Sequence, residues 1–236
     1  MRTDITGVYA LKVRIRFSKT GALVYIGHLD VMRYFQKLFR RAHLPVRYSE
    51  GFSPHQILSF TPPLPLGMES EGEYADVELT EPVTTQEALR SLRAQSVPEI
   101  KIMSFRQLPE KCENAMASVR AAAYSVSFDD NGSFDLDRAV SYVLSKDSLV
   151  TLKKTKKSEK EIDIRPLVYD LRVNGRNIDM LISSGSTDNI KPELVLRAMS
   201  DDQDSFPDIT KISIKRIDQY TKAENFISLD AIGTDI

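Results

Sequence analysis

Between positions 48 and 72 the chain carries four prolines (Pro54, Pro62, Pro63 and Pro65) and three glycines (Gly51, Gly67 and Gly72). Proline fixes φ and offers no backbone donor, so neither a helix nor an inner strand runs through such a stretch. The elements on either side must fold separately and be joined by a long, stiff connection. Compact domains favour short connections, and long ones are commonly functional. A course fixed by proline and glycine also holds polar side chains ready for a ligand. The plain alternative is a rigid structural loop packed over an apolar face by Phe52, Phe60 and Leu64.

Regular periodicity returns on both sides. Residues 11–17 alternate Val13, Ile15 and Phe17 with Lys12, Arg14 and Arg16, which is a strand pattern. Residues 28–42 place Val31, Phe35, Leu38, Phe39 and Ala42 on one helical stripe, with Arg33, Lys37, Arg40 and Arg41 largely off it. Asp30 in the first turn and His43 at the far end both suit the helix dipole, and Pro45 ends the helix. Residues 57–60 read as a short strand inside the stiff connection and 73–79 as an alternating strand. A Thr84/Glu87 capping box opens a helix to about Ala94, and 100–105 is a strand. The order is β-α-β-β-α-β.

The second half repeats that order. Strand 119–128 leads to a helix capped by Asp135, with Ala139, Val140, Val143 and Leu144 on its inner face. A short strand at 149–152 follows, then strands 167–173 and 176–183 around an Asn174-Gly175 turn signal. Pro192 suits the first turn of a helix to about Met199, and 209–217 is the last strand. The expected class is α+β, with two tandem ferredoxin-like (βαββαβ) units and antiparallel sheets. The expected boundaries are 1–108 for the first unit, 109–118 for a linker and 119–236 for the second unit. A chain of 236 residues is long enough for two such cores.

Charge is uneven although the net value is −1. Residues 1–60 hold ten Lys/Arg against three acids, a balance of +7, while 61–110 hold four against nine, a balance of −5. A basic end attracts polyanions, or is simply a solvated face. Arg14, Arg16, Lys37, Arg40 and Arg41 are the candidates for contacting nucleic acid. The strand bearing Arg14 and Arg16 lacks the stacking aromatics of an RRM. Lys153, Lys154, Lys156, Lys157 and Lys160 either touch phosphates or are solvated beside Glu159 and Glu161.

Catalytic signatures are sparse. There is no GxxxxGK[ST], GxGxxG or GxSxG segment, which leaves the common nucleotide and hydrolase sites without support. His28 and His55 are candidates for a general acid and base, or else a helix cap and a turn brace. Neither HxH nor HExxH occurs and Cys112 is the one cysteine, so no metal site and no intramolecular disulfide are expected. Residues 1–17 lack the apolar block of a signal peptide, and no apolar run approaches the ~20 residues that span a bilayer. The expected location is the cytoplasm.

Several segments carry a family resemblance: Tyr25-Ile26-Gly27-His28-Leu29-Asp30, the stretch from Tyr48 to His55, Pro63-Leu64-Pro65-Leu66-Gly67, and Glu73-Tyr74. Ile162-Asp163-Ile164-Arg165-Pro166 and the stretch from Gly185 to Pro192 add to it. Through them the chain resembles the radical-SAM-linked protein family, a bacterial domain of unknown function encoded beside, or fused after, cobalamin-binding radical SAM proteins. At Gln56-Ile57 the sequence departs from a Pro-basic pair usual in that family. The resemblance implies an accessory partner of a radical SAM protein, which would itself use an iron–sulfur cluster, S-adenosylmethionine and cobalamin. One cysteine cannot ligate such a cluster, so this chain does not carry that chemistry.

The first functional reading is a binding or adaptor module that presents substrate, with RNA as a candidate, to a separate radical SAM enzyme. Its expected ligand-binding residues are Asp30, Arg33, Tyr48, Ser49, Phe52, His55 and Arg165, with His28 beside them. The competing reading is a metal-independent RNA-processing or RNA-modifying enzyme using His28 and His55.

Overall fold

The computed structural model describes residues 11–129, 134–154, 159–185, 188–201, 211–222 and 225–236. The protein is mixed α+β, mostly antiparallel sheet with few helices. It divides into two units, one of Met1–Val119 with Asp218–Ile236 and the other of Arg120–Ile217.

The first unit opens with β1 (Leu11–Lys19). Its alternation buries Val13, Ile15 and Phe17 on one face and turns Lys12, Arg14 and Arg16 to the other. Next come α1 (His28–Arg41), β2 (Leu58–Phe60), β3 (Glu69–Leu79), α2 (Thr85–Gln95), β4 (Ile102–Gln107) and the short α3 (Ala115–Ser118). β1 lies between β4 and β3, antiparallel to both, and β2 pairs with β3 on its other side.

α1 buries Val31, Phe35, Leu38 and Phe39 against the sheet, and α2 adds Ala88 and Leu92 to the same core. α1 ends in a Schellman motif: the amide of Leu44 donates to Phe39 O (3.0 Å) and that of His43 to Arg40 O (3.2 Å). His43 takes the left-handed position there, at φ 52°. The capping box forms as expected, with Thr84 Oγ1 accepting from Glu87 N and donating to Glu87 Oε2.

β4 is an outer strand of this unit, and its edge is covered. Arg93 donates to the carbonyls of Ile102 and Met103, Thr85 Oγ1 to that of Phe105, and Gln107 exchanges two backbone bonds with Thr234. Occupied edge carbonyls of this kind discourage pairing with another chain.

The sheet face opposite the core is covered by the unit's own chain. Residues 109–118, read from sequence as a linker, belong to the first unit: Arg14 reaches Glu113 O and Ser118 Oγ, each at 3.3 Å. The C-terminal segment returns as β11 (Phe226–Ser228) and a 3-10 turn (Leu229–Ala231). Leu229 is buried with Tyr74 and Val119, and Tyr74 donates a short hydrogen bond to Asp218. Gly233 runs so close to β4 that a Cβ there would lie 2.6 Å from Gln107 O.

The second unit contains β5 (Ala121–Phe128), α4 (Leu136–Leu144), β6 (Val150–Lys154), β7 (Glu159–Asp163), β8 (Val168–Asn174), β9 (Asn177–Ser183), α5 (Pro192–Ser200) and the residues of β10 (Ile212–Lys222) up to Ile217. The strand order is β10-β5-β9-β8, with β9 antiparallel to both neighbours. Asp135 caps α4 by accepting from Arg138 N, and Pro192 opens α5, both as expected. The β8–β9 turn sits one residue later than its sequence signal. Asn174 pairs with Asn177, so the loop is Gly175-Arg176, with Gly175 at φ 63° in the first position that a type II′ turn reserves for glycine.

Strand β7 carries no apolar alternation, so no period in the sequence marks it. It pairs with β6 in a separate two-stranded sheet. Lys156 and Lys157 of the basic tract, Ser186 and Thr187 of the resembling segment, and Ile209 at the start of the expected last strand lie outside the described residues.

Candidate functional site

The stiff connection folds as a hairpin followed by a tight loop. Tyr48 and Gln56 form an antiparallel bridge, and Ile57 N donates to Arg47 O (2.9 Å). Above them Ser49 and His55 tie the two limbs together. Ser49 N donates to His55 O (2.8 Å), His55 N to Ser49 Oγ (3.1 Å), and Ser49 Oγ lies 2.9 Å from His55 Nδ1. Gly51 turns at φ 104°, a conformation L side chains rarely adopt. At the tip Phe52 is fully exposed, packing on nothing among the described residues. The base rests on α1, where Gln56 Nε2 donates to Gln36 O (3.4 Å) and to Tyr48 Oη (3.2 Å).

Beyond β2 the chain turns at Gly67, with φ 81°, and Gly67 N donates to Val24 O (3.0 Å). This fastens the Pro-Leu-Pro-Leu-Gly segment to the 3-10 turn Gly21–Tyr25 just ahead of α1. Between them lies a small cleft lined by Phe17, Lys19, His28, Val31, Phe60, Thr61, Leu64 and Glu73. Its free interior is about 20 Å³, room for about one water molecule or one functional group. Tyr25, Leu29 and Leu66 stand 65–74% exposed on the segments that border it.

Polar groups in the cleft are held from behind. Lys19, 4% exposed, donates to Ile26 O (3.1 Å) and Val24 O (3.4 Å). Gln219 Nε2 bonds Thr61 Oγ1 (3.0 Å) and Gly72 O (2.7 Å), while Thr61 Oγ1 accepts from Tyr74 N. His28 meets the Phe60 ring edge-on at 5.7 Å. Burial first, and the Lys19 charge second, lower its pKa below the ordinary 6.5. The imidazole is therefore neutral at pH 7, with one nitrogen donating and one accepting.

The sign of the resulting pH dependence follows. In the interval between the lowered folded value and 6.5, the unfolded chain binds more protons at this site than the folded one. Stability should be full above about pH 6.5 and decline as pH falls through that interval. Comparing urea midpoints of the wild type and His28→Gln from pH 7.5 to 5 tests this. The wild type should lose the extra stability on acidification and the variant should not. Parallel curves would place His28 in water.

The residues singled out from sequence fall into separate groups. Tyr48, Ser49, Phe52 and His55 share the hairpin, and Asp30 pairs with Arg33 on the surface of α1 at 3.1 Å. His28 faces the cleft, and His55 is not among its lining residues. Arg165 belongs to the second unit, where it donates to Lys146 O and Val168 O. Lys37 and Arg40 are exposed on α1, whereas Arg41 turns toward α2 and donates to Gln95 O (3.2 Å).

Arg14 and Arg16 do not form the open basic strand expected of them. Arg14 is 1% exposed and makes a bidentate pair with Asp76, at 2.7 and 2.9 Å, which removes it from reach of a phosphate. Arg16 lies within 4.0 Å of Asp218 and Asp230. Lys19, Thr61 and Glu73 were missed. Thr61 and Glu73 adjoin or lie in resembling segments, but nothing local marks a lysine at a strand end as buried.

A second cavity of about 210 Å³ opens in the same unit, lined by Lys12, Ser59, Asp76, Glu78, Cys112 and Asn114 among others. It is larger but chemically quieter. Burial would lower the Arg14 guanidinium, but Asp76 outweighs that and holds its pKa above the ordinary value. Desolvation pulls the Asp76 carboxyl upward and Arg14 opposes the rise. Both carboxylate oxygens are thus engaged. Burial also raises Cys112, keeping a thiol rather than a thiolate. Among the described residues no cluster of three or more His, Cys, Asp or Glu could hold a metal ion, and no helix is long and apolar enough to cross a membrane.

No curated protein matches the chain. Residues 12–192 match a family described as "Uncharacterized protein conserved in bacteria (DUF2344)", a span that includes the hairpin, the cleft segments and most of the second unit. The chain belongs to this uncharacterized bacterial family.

Proposed function

We propose that the protein is an adaptor that binds a partner enzyme and presents substrate to it, without chemistry of its own. The observation that carries this reading is the exposure of Tyr25, Leu29 and Leu66 on stiffly held segments around a polar cleft. Contiguous exposed apolar groups rimmed by polar ones mark interaction sites. A space of about 20 Å³ accepts the end of a side chain or one small group of a ligand, and is far below the ~300 Å³ of a typical small-molecule site.

The resemblance noted above makes a radical SAM protein the expected partner, with iron–sulfur, S-adenosylmethionine and cobalamin chemistry residing there and a cytoplasmic setting following from it. Each unit reads as a ferredoxin-like βαββαβ fold, and the orders β4-β1-β3-β2 and β10-β5-β9-β8 support this. The competing catalytic reading needs His28 and His55 on one scissile group. The engagement of His55 with Ser49 favours the adaptor.

The test mixes purified protein with a cobalamin-binding radical SAM protein of the kind the resemblance implies, with and without ribonuclease. Wild type should retain the partner in both conditions, and a Tyr25→Ser, Leu29→Ser, Leu66→Ser variant should lose it while melting within a few degrees of wild type. A wild type that retains nothing overturns the adaptor reading.

A further inference from the structure

Two surfaces of the first unit carry arginines, and they differ in what faces them. On the outer sheet face Arg14 is buried under Asp76, Glu113 O and Ser118. Arg16 and Arg106 lie against Asp218, Asp230 and Asp235, with Arg106 Nη1 2.7 Å from Asp235 Oδ1. The C-terminal segment holds those carboxylates in place through the paired backbone bonds of Gln107 with Thr234 and the bond from Ile236 N to Thr85 Oγ1. That face is already neutralised by its own chain.

The exposed face of α1 differs. Arg33, Lys37 and Arg40 are spaced three and four residues apart, which places them along one side of the helix about 5–6 Å from one to the next. Gln36, between them, is where the hairpin base seats through Gln56. The basic row therefore shares its helix with the seat of the hairpin, on which Tyr48 is exposed and Phe52, at the tip, fully exposed. The hairpin is tied by the Ser49–His55 bonds and turned by Gly51, so presenting Phe52 to a ligand costs little further ordering. Along α1 and the hairpin themselves the acids are Asp30, paired with Arg33, and Glu50 beside the tip.

We propose that this surface binds a single-stranded polynucleotide, with a base stacked on Phe52 and phosphates along Arg33, Lys37 and Arg40. Exposed aromatic faces next to a line of cations match the recognition of unpaired strands, in which bases stack and the backbone tracks positive charge. A duplex hides its base faces and leaves Phe52 nothing to stack on. The inference rests on the adaptor reading, to which it adds the substrate class.

The experiment titrates full-length protein with fluorescein-labelled oligouridylate, oligothymidylate and a duplex of matched length, at about 50 and about 200 mM salt. Single strands should bind at the lower salt with a log–log slope near −2, from about 0.7 per phosphate contact. Preference for oligouridylate over oligothymidylate identifies RNA, and equal binding identifies a stacking site that reads either strand. Phe52→Ala should weaken binding about tenfold without changing the slope, and Phe52→Trp should restore it. Replacing Arg33, Lys37 and Arg40 with Gln should flatten the slope, while Arg106→Gln leaves binding unchanged.

No binding at the lower salt overturns the proposal, as does binding indifferent to both Phe52→Ala and the triple Gln variant. The adaptor reading fails separately. If the partner is retained through Tyr25, Leu29 and Leu66 while no oligonucleotide binds, only the substrate assignment falls.

Discussion

Asp76→Ala should destabilise the first unit by about 3–5 kcal/mol, the cost of leaving a buried charge without its partner. Arg14 has 1% exposure, and among the described residues its Nη1 already lacks a hydrogen-bond partner. Total stabilities of about 5–15 kcal/mol make this a large share of what holds the unit folded. The loss is expected to appear as a lower urea midpoint at unchanged slope. Arg14→Met combined with Asp76→Leu should recover most of it, because an apolar pair of similar volume avoids desolvating two ions. Arg14 also anchors the 109–118 segment through Glu113 O and Ser118 Oγ, so Asp76→Ala should quicken proteolysis there. A midpoint change equivalent to less than about 1 kcal/mol would mean that Arg14 is hydrated, contrary to its burial.

Phe60→Ala carries an effect of similar size and connects the core to the cleft. Phe60 is 6% exposed and packs on Phe35 at 5.5 Å, Phe17 at 6.3 Å and His28 at 5.7 Å. Truncating a buried phenylalanine costs about 3–5 kcal/mol in lost transfer energy and cavity. The cavity lies under His28, so water should reach the imidazole and its pKa should climb back toward 6.5. Phe60→Leu should cost less and move His28 less. Urea denaturation gives the first quantity and the NMR titration of His28 the second. A stability loss with an unmoved His28 titration would show that Phe60 is not what dehydrates the ring.

Individual elements were legible where local chemistry determines them. The apolar stripe Val31, Phe35, Leu38 and Phe39 specifies α1, because only a 3.6-residue period brings them to one face. Thr84 with Glu87, Asp135 and Pro192 mark helix starts through groups that act within one turn. The Asn174-Gly175 signal located the β8–β9 turn to within one residue. The exact loop depends on which residue must take φ above zero, and Gly175 does so in the first position.

The candidate site was half legible. The braced hairpin follows from residues six apart, Ser49 and His55, within one stiff segment. The cleft does not, because Lys19, His28, Thr61 and Glu73 come from four segments joined only by the fold. Arg14 shows the limit most plainly. On an alternating strand it is indistinguishable from Arg16 or Lys12, and its burial depends on Asp76, 62 positions away, and on Ser118, 104 positions away.

What the sequence by itself determined were helices α1, α2, α4 and α5, the strands of clear alternation, the caps and the stiffness of the 48–72 connection, each set by contacts between near neighbours in the chain. Only the tertiary structure decided that the C-terminal residues return to the first unit and close the sheet face that Arg14 and Arg16 occupy. That outcome is set by pairings such as Tyr74 with Asp218 and Arg106 with Asp235, more than 120 residues apart. Such pairs have no local period or spacing, so they exist only once packing has brought the segments together.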